Sequence, residues 1–191
     1  MALLSPGDEV LIPAPYWVSF PSMVSLSGAT AKIVQTPMLA NFKLTAQQLA
    51  DEITDRTRLL ILNSPSNPSG QIYTNEELVA LGEVVRQHPN IIIASDDIYE
   101  HIVWPGKHFS NIAMACPELK NRVVVLNSVS KAYAMTGRRI GFATGLSELI
   151  SAMTKIQSQS TSCASAISQA AASAALNGDQ SALQTMLAAY K

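Results

Sequence analysis

Charge is scarce in this chain. Only 14% of its residues are Asp, Glu, Lys or Arg, and 13 basic side chains nearly cancel 14 acidic ones. A net charge of −1 with no basic stripe argues against a nucleic-acid surface, which is built on phosphate contacts. Long apolar runs are missing too: stretches such as Ile91–Ala94 fall far short of the ~20 residues a membrane-crossing helix needs. The opening MALLSPGDEV has no basic region, and Pro6, Gly7 and Asp8 interrupt its short apolar start, so it does not read as a secretory signal. Two cysteines, Cys116 and Cys163, make neither a disulfide framework nor a metal-ligand spacing; as neutral thiols they suit a reducing cytoplasm. His101 and His108 stand seven apart without further ligands beside them, so no metal site is expected. No G-x-G-x-x-G follows a strand and no G-x-x-x-x-G-K-[ST] occurs, which leaves these residues without a Rossmann fingerprint or a P-loop.

What is present is apolar material in short, punctuated runs. A 191-residue chain that is 48% hydrophobic can bury a sizeable core as one domain. Strands are expected at Glu9–Ile12, Ala31–Gln35, Arg58–Leu62, Ile91–Ser95, Val123–Asn127 and Ile140–Thr144. Several are continuous rather than alternating, as strands buried on both faces of a parallel sheet are. Thr45 with Gln48, and Thr74 with Glu77, have the spacing of capping boxes ahead of apolar helical faces. A longer helical region is expected from about Leu146 to Leu176, ended by Asn177-Gly178, with one more helix over Gln180–Tyr190. Ser110–Asn121 reads as a loose connection. Strand and helix in alternation predict an α/β fold: a three-layer α/β/α arrangement around a mainly parallel sheet.

In such sheets ligands gather beyond the carboxyl ends of the strands. The residues standing there are Tyr16 and Trp17 after the first strand and Asn67 after the third. Asp96, Asp97 and Tyr99 follow the fourth, and Ser128, Ser130, Lys131, Arg138 and Arg139 follow the fifth. Each has an ordinary explanation by itself: a solvated lysine, a capping aspartate, a packed aromatic, a turn-forming Asn-Pro. Together they offer an aromatic face, an amide, a carboxylate, a phenol, hydroxyls, an amine and guanidinium groups. A single ligand touching them all would be flat, polar at several edges and anionic at one end.

Four segments give that combination a family. SVSKAYAMTGRRIGF resembles the cofactor-lysine motif of class I/II aminotransferases, which use pyridoxal 5'-phosphate on the fold-type-I scaffold. NSPSNPSG resembles their Asn-Pro-Thr-Gly turn with Ser69 in place of Thr, and SDDIYEH their Ser-Asp-Glu-Ile-Tyr segment with Asp97 in place of Glu. PAPYWVSFP resembles the aromatic segment of the bacterial aspartate aminotransferase branch. The segments occur in the family order and span nearly the whole chain.

The resemblance implies that Lys131 is the residue joined to the cofactor aldehyde and, once released, the base that moves a proton at the substrate α-carbon. It places Asp96 against the pyridine nitrogen and points Asp97 elsewhere. Tyr99 and Asn67 go to the ring oxygen, and Trp17, rather than Tyr16, stacks on the ring face. Ser128, Ser130 and Arg139 take the phosphate; Arg139 is chosen over Arg138 because it directly precedes Ile-Gly. The stretch Gln157–Thr161 is expected near the site, within the chain or across a dimer interface. An amino acid, aspartate by analogy, and a 2-oxo acid are the implied substrates, and a cytoplasmic homodimer the implied assembly. Residues 1–191 are expected to form part of the large, cofactor-binding domain. The family's N-terminal part, and its small domain with the arginine that grips the substrate carboxylate, would lie outside them. Two other readings stay open: a fold-type-I relative catalysing elimination, for which the same lysine and aspartate serve, and a non-catalytic chain that only packs against a partner.

Overall fold

The computed structural model describes residues 1–190. Six strands form one sheet: β1 (Glu9–Ala14), β2 (Thr30–Gln35), β3 (Thr57–Asn63), β4 (Ile92–Asp96), β5 (Val123–Ser128) and β6 (Gly141–Thr144), in the order β2-β1-β3-β4-β5-β6. All neighbours pair in parallel except β5 and β6, which are antiparallel. Every strand expected from the apolar runs is present, with ends displaced by a residue or two.

Side-chain alternation divides the sheet into two faces. On one, Leu11, Val34, Leu60, Leu62, Ile93 and Val123 build the main core under α2 (Ala46–Glu52), α3 (Asn75–Arg86) and α4 (Ile112–Ala115). Both capping boxes form: Gln48 N–H donates to the Thr45 hydroxyl and Glu77 N–H to the Thr74 hydroxyl, each at 3.2 Å. Helix α3 fully buries Leu78, Leu81 and Val85, each such side chain stabilising the fold by about 1.5–3 kcal/mol. On the other face Val10, Ile12, Phe20, Val24 and Ala29 form a smaller core under α1 (Ser19–Leu26). That face is only partly covered, so Leu59, Ile61, Ile92 and Ala94 stay half-buried although their strands read as buried on both sides.

Three helical features depart from expectation. Helix α1 carries Pro21 as its third residue, where a missing N–H costs nothing because the first-turn N–H groups have no intrahelical partner. Ser110–Asn121 is not a loose connection: Asn111 caps α4 by accepting from Met114 N–H at 2.8 Å, and a 3-10 turn spans Pro117–Arg122. The long helical region is two helices, α5 (Ser147–Ser160) and α6 (Ala166–Asn177), followed by α7 (Ser181–Ala189). The hydroxyls of Ser158 and Ser160 turn back onto the carbonyls of Lys155 and Ile156. Thr161 and Ser162 both donate to the Gln157 carbonyl, with Ser162 in the left-handed region at φ 62°. Serine and threonine compete for backbone partners in this way and favour helix ends. No helix among the described residues is long and apolar enough to cross a membrane.

Candidate active site

Asn63 and Asp96 are register partners at the carboxyl ends of β3 and β4, so both side chains project to the face that α1 partly covers. Asp97 projects to the opposite face by the same alternation. It is buried, accepts from the Ser95 hydroxyl at 2.7 Å and from Asn111 Nδ2 at 2.5 Å, and its own N–H donates to the Leu126 carbonyl at 2.9 Å. Burial pushes the Asp97 carboxyl up to about 6, while the bonds from Ser95 and Asn111 oppose that rise.

Trp17, Asn67, Asp96, Tyr99 and Lys131 line one cleft with an empty volume of about 390 Å³, together with Asn63 and Ile98. Residues from four separate strand ends therefore meet in one place. The Lys131 amine stands 6.0 Å from the centre of the Tyr99 ring, at the limit of a cation–π contact. Burial raises the Asp96 carboxyl above its ordinary value, and the Ile98 N–H, 3.4 Å from Oδ1, works against the rise. The Tyr99 phenol is also pushed up, first by burial and then by the charge of Asp96, with a hydrogen bond to Asn67 opposing. Trp17 is 42% exposed and meets Phe20 edge-on, which leaves a ring face available to the cleft. Tyr16 instead lines a neighbouring hollow with Ile12, Phe20 and Phe42.

The three residues expected at a phosphate do not line this cleft. Ser128 and Ser130 meet each other: the hydroxyls lie 2.8 Å apart, and Ser128 Oγ accepts from Ser130 N–H at 2.9 Å and lies 2.7 Å from the Ile140 carbonyl. Arg139 is exposed, and its guanidinium donates to the Thr136 carbonyl at 2.8 Å. The loop between Lys131 and Arg139 holds two non-glycine residues in the left-handed region, Ala134 at φ 52° and Arg139 at φ 55°. Such backbone costs about 1–3 kcal/mol per residue and concentrates at functional sites. Gln157 lines a groove beside β5 and β6 with Leu126, Phe142 and Ile150 rather than the Lys131 cleft. Asn63 and Ile98 were missed. Asn63 had a usable signal, since it is the last residue of a strand directly before a dense turn.

A mainly parallel α/β sheet that gathers a lysine, a partly buried carboxyl, a phenol, an amide and an open indole at its strand ends offers contacts that suit a flat, polar aromatic group. The family model described as aminotransferase class I and II matches residues 1–191, and the chain belongs to that family. It is 54% identical over 191 residues to the aspartate/prephenate aminotransferase of Nitrosomonas europaea, covering 100% of this chain and 48% of that protein. It is 51% identical over 184 residues to the aspartate aminotransferase of Rhizobium meliloti, covering 96% of this chain and 45% of that protein. The Rhizobium meliloti crystal structure matches with a TM-score of 0.97 at 49% identity, over 99% of this chain and 47% of the other. The Thermus thermophilus aspartate aminotransferase with maleate matches with a TM-score of 0.89 at 39% identity, over 97% and 47%. The chain spans about half the length of the curated relatives it matches.

Proposed function

We propose that the chain is the cofactor-binding part of an enzyme that moves an amino group between an L-amino acid and a 2-oxo acid with pyridoxal 5'-phosphate. The observation that carries this reading is one cleft lined by Lys131, Asp96, Tyr99, Asn67 and Trp17. That donor set fits the cofactor: an open indole for the ring face, a carboxyl for a ring nitrogen, hydroxyl and amide groups for a ring oxygen, and a primary amine for an aldehyde. When bound, pyridoxal phosphate supplies an electron sink for charge that develops at the substrate α-carbon.

The chain's own residues would do the rest. Lys131 would hold the cofactor through its amine and, once released, would act as the base that takes the proton from the substrate α-carbon and delivers it to the carbon that was the cofactor's aldehyde. Asp96 keeps a proton on the ring nitrogen; a lone carboxylate is costly where it stands, and a cationic nitrogen beside it offsets that cost. Tyr99 and Asn67 donate to the ring oxygen, and Trp17 covers the ring face. Ser128, Ser130 and Arg139 flank Lys131 in the chain without lining the cleft as it stands; turned toward it, they would take the phosphate end, where the planar guanidinium suits two oxygens at once. Aspartate as donor is supported by the relatives' names, and the pairing of aspartate with prephenate in the Nitrosomonas europaea name makes prephenate a candidate acceptor. A homodimer in the cytoplasm, serving amino-acid metabolism, completes the reading. So does completion of the large domain and addition of a small domain by the rest of a longer enzyme.

The test is direct. Titration of the purified chain with pyridoxal phosphate should produce a visible absorbance band that Lys131→Ala lacks. No band in the parent chain, or an equal band in the variant, would sink the reading. Aspartate with 2-oxoglutarate then tests turnover.

A further inference from the structure

Asn63 stands in the wall of the cleft with both ends of its side chain engaged. Its Nδ2 donates to the Asp96 carbonyl at 2.9 Å, and its Oδ1 accepts the Asn67 N–H at 2.7 Å. The first bond crosses from β3 to the register partner on β4. The second reaches into the turn that carries Asn67. Within that turn, Ser66 N–H donates to the Gln71 carbonyl at 2.9 Å and Gly70 N–H to the Ser66 carbonyl at 2.8 Å. These two bonds close the turn on itself without setting where it stands over the cleft. A side chain that donates to one strand and accepts from the turn does set it. A carboxamide does both at this reach, whereas aspartate lacks the donor and serine is too short to span the two partners.

We propose that Asn63 is a positioning residue that clamps the Asn67 turn to the end of the Asp96 strand. The Asn67 amide and the Asp96 carboxyl thereby meet one ligand at a fixed separation. The proposal rests on the reading of the cleft as a pyridoxal phosphate site. Site geometry must hold to about 0.5 Å, and an error near 1 Å can cost on the order of a hundredfold. At the base of the turn the Ser64 N–H also reaches the Asp96 carbonyl, at 3.4 Å, and the Tyr73 N–H donates to the Ser64 hydroxyl at 3.2 Å; Asn63 is the side chain that bonds the Asn67 backbone itself, so a small change there has a large effect.

The experiment is a cycle of four chains: parent, Asn63→Ala, Asn67→Ala and the double variant. Each is titrated with pyridoxal phosphate, and the pH midpoint of the visible band is measured alongside the dissociation constant. In the parent background Asn63→Ala should weaken binding about tenfold or more and move the midpoint by at least about half a pH unit. In the Asn67→Ala background the same change should weaken binding about threefold or less and leave the midpoint in place, because the group being positioned is already gone. Asn63→Ser runs in parallel and is judged by the same cycle where Asn63→Ala does not fold. Equal effects in both backgrounds would overturn the clamp, as would failure of both variants to fold, which would make Asn63 a residue of the fold alone. Absence of the band in the parent chain would sink the cofactor reading itself, an outcome distinct from these.

Discussion

Gly82 sits in α3 against the layer that backs the cleft strands. A Cβ at this position would come to 2.3 Å from Cys116 Sγ, 3.3 Å from Cys116 Cβ and 3.4 Å from Leu119 Cδ1. Optimal non-bonded separations are about 3.5–4.0 Å, so the sulfur would have to retreat by more than about 1 Å. It has little room, since Cys116 is 2% exposed and its thiol lies 3.8 Å from the Leu78 carbonyl. Overpacking of this kind costs about 1–3 kcal/mol. Against it stands about 1 kcal/mol that alanine gains over glycine inside a helix. Gly82→Ala should therefore destabilise the chain by up to about 2 kcal/mol, or up to about 8 °C in Tm for a domain of this size. Removing the sulfur reverses the sign. In a Cys116→Ala background the new methyl occupies space the thiol has left, and Gly82→Ala should be neutral or stabilising by up to about 1 kcal/mol. The coupling energy is thus about 2 kcal/mol, within reach of a double-mutant cycle. Urea unfolding of the four chains, followed by circular dichroism, measures it. If Gly82→Ala has the same effect in both backgrounds, within about 0.5 kcal/mol, the close approach of α3 to Cys116 is not what holds this position as glycine.

Asp97 gives a pH dependence. With its carboxyl raised from 3.8 to about 6 by burial, the folded chain keeps a proton there that the unfolded chain has released. Stability contributed by this group is therefore present below about pH 4 and lost as pH rises through 6, by at most about 3 kcal/mol. The Tm advantage of the parent over Asp97→Asn should be larger at pH 4 than at pH 7, and a difference independent of pH would refute the burial argument. At the start of α3, Thr74→Ala removes the hydroxyl that Glu77 N–H uses and should lower stability by about 1 kcal/mol; thermal unfolding that matches the parent would rule out the cap as a contributor.

The strands were legible because each is a short apolar run followed by a turn, and length separates such a run from a helix. Capping boxes were legible because two side chains three apart must satisfy each other's backbone. The helices that escaped lack those signals. In α1 a proline stands where helix-breaking is the usual reading, and only its place in the first turn makes it harmless. In α4 a single turn is held by the Asn111 cap and by packing of Ile112, not by any periodicity. The break between α5 and α6 falls in a Ser- and Thr-rich stretch, where low propensity marks a boundary without giving its position.

For the cleft, strand ends were the right place to look, yet the two adjacent acids Asp96 and Asp97 cannot be told apart by composition. Period-two alternation separates them. Asp96 shares a face with Asn63 and reaches the cleft; Asp97 crosses to the helix layer and is fixed by Ser95 and Asn111. Anchoring the second holds the strand end that presents the first, and Asn63 fastens the neighbouring turn to the same strand end from the cleft side. The pairing partners that decide this, Asn63 with Asp96 and Asp97 with Asn111, lie 33 and 14 residues apart in the chain. No local pattern encodes either distance. They follow once β3 and β4 are placed side by side in parallel, which is why Trp17, Asn67, Asp96, Tyr99 and Lys131 could be gathered at strand ends from the sequence and the residues that hold them could not.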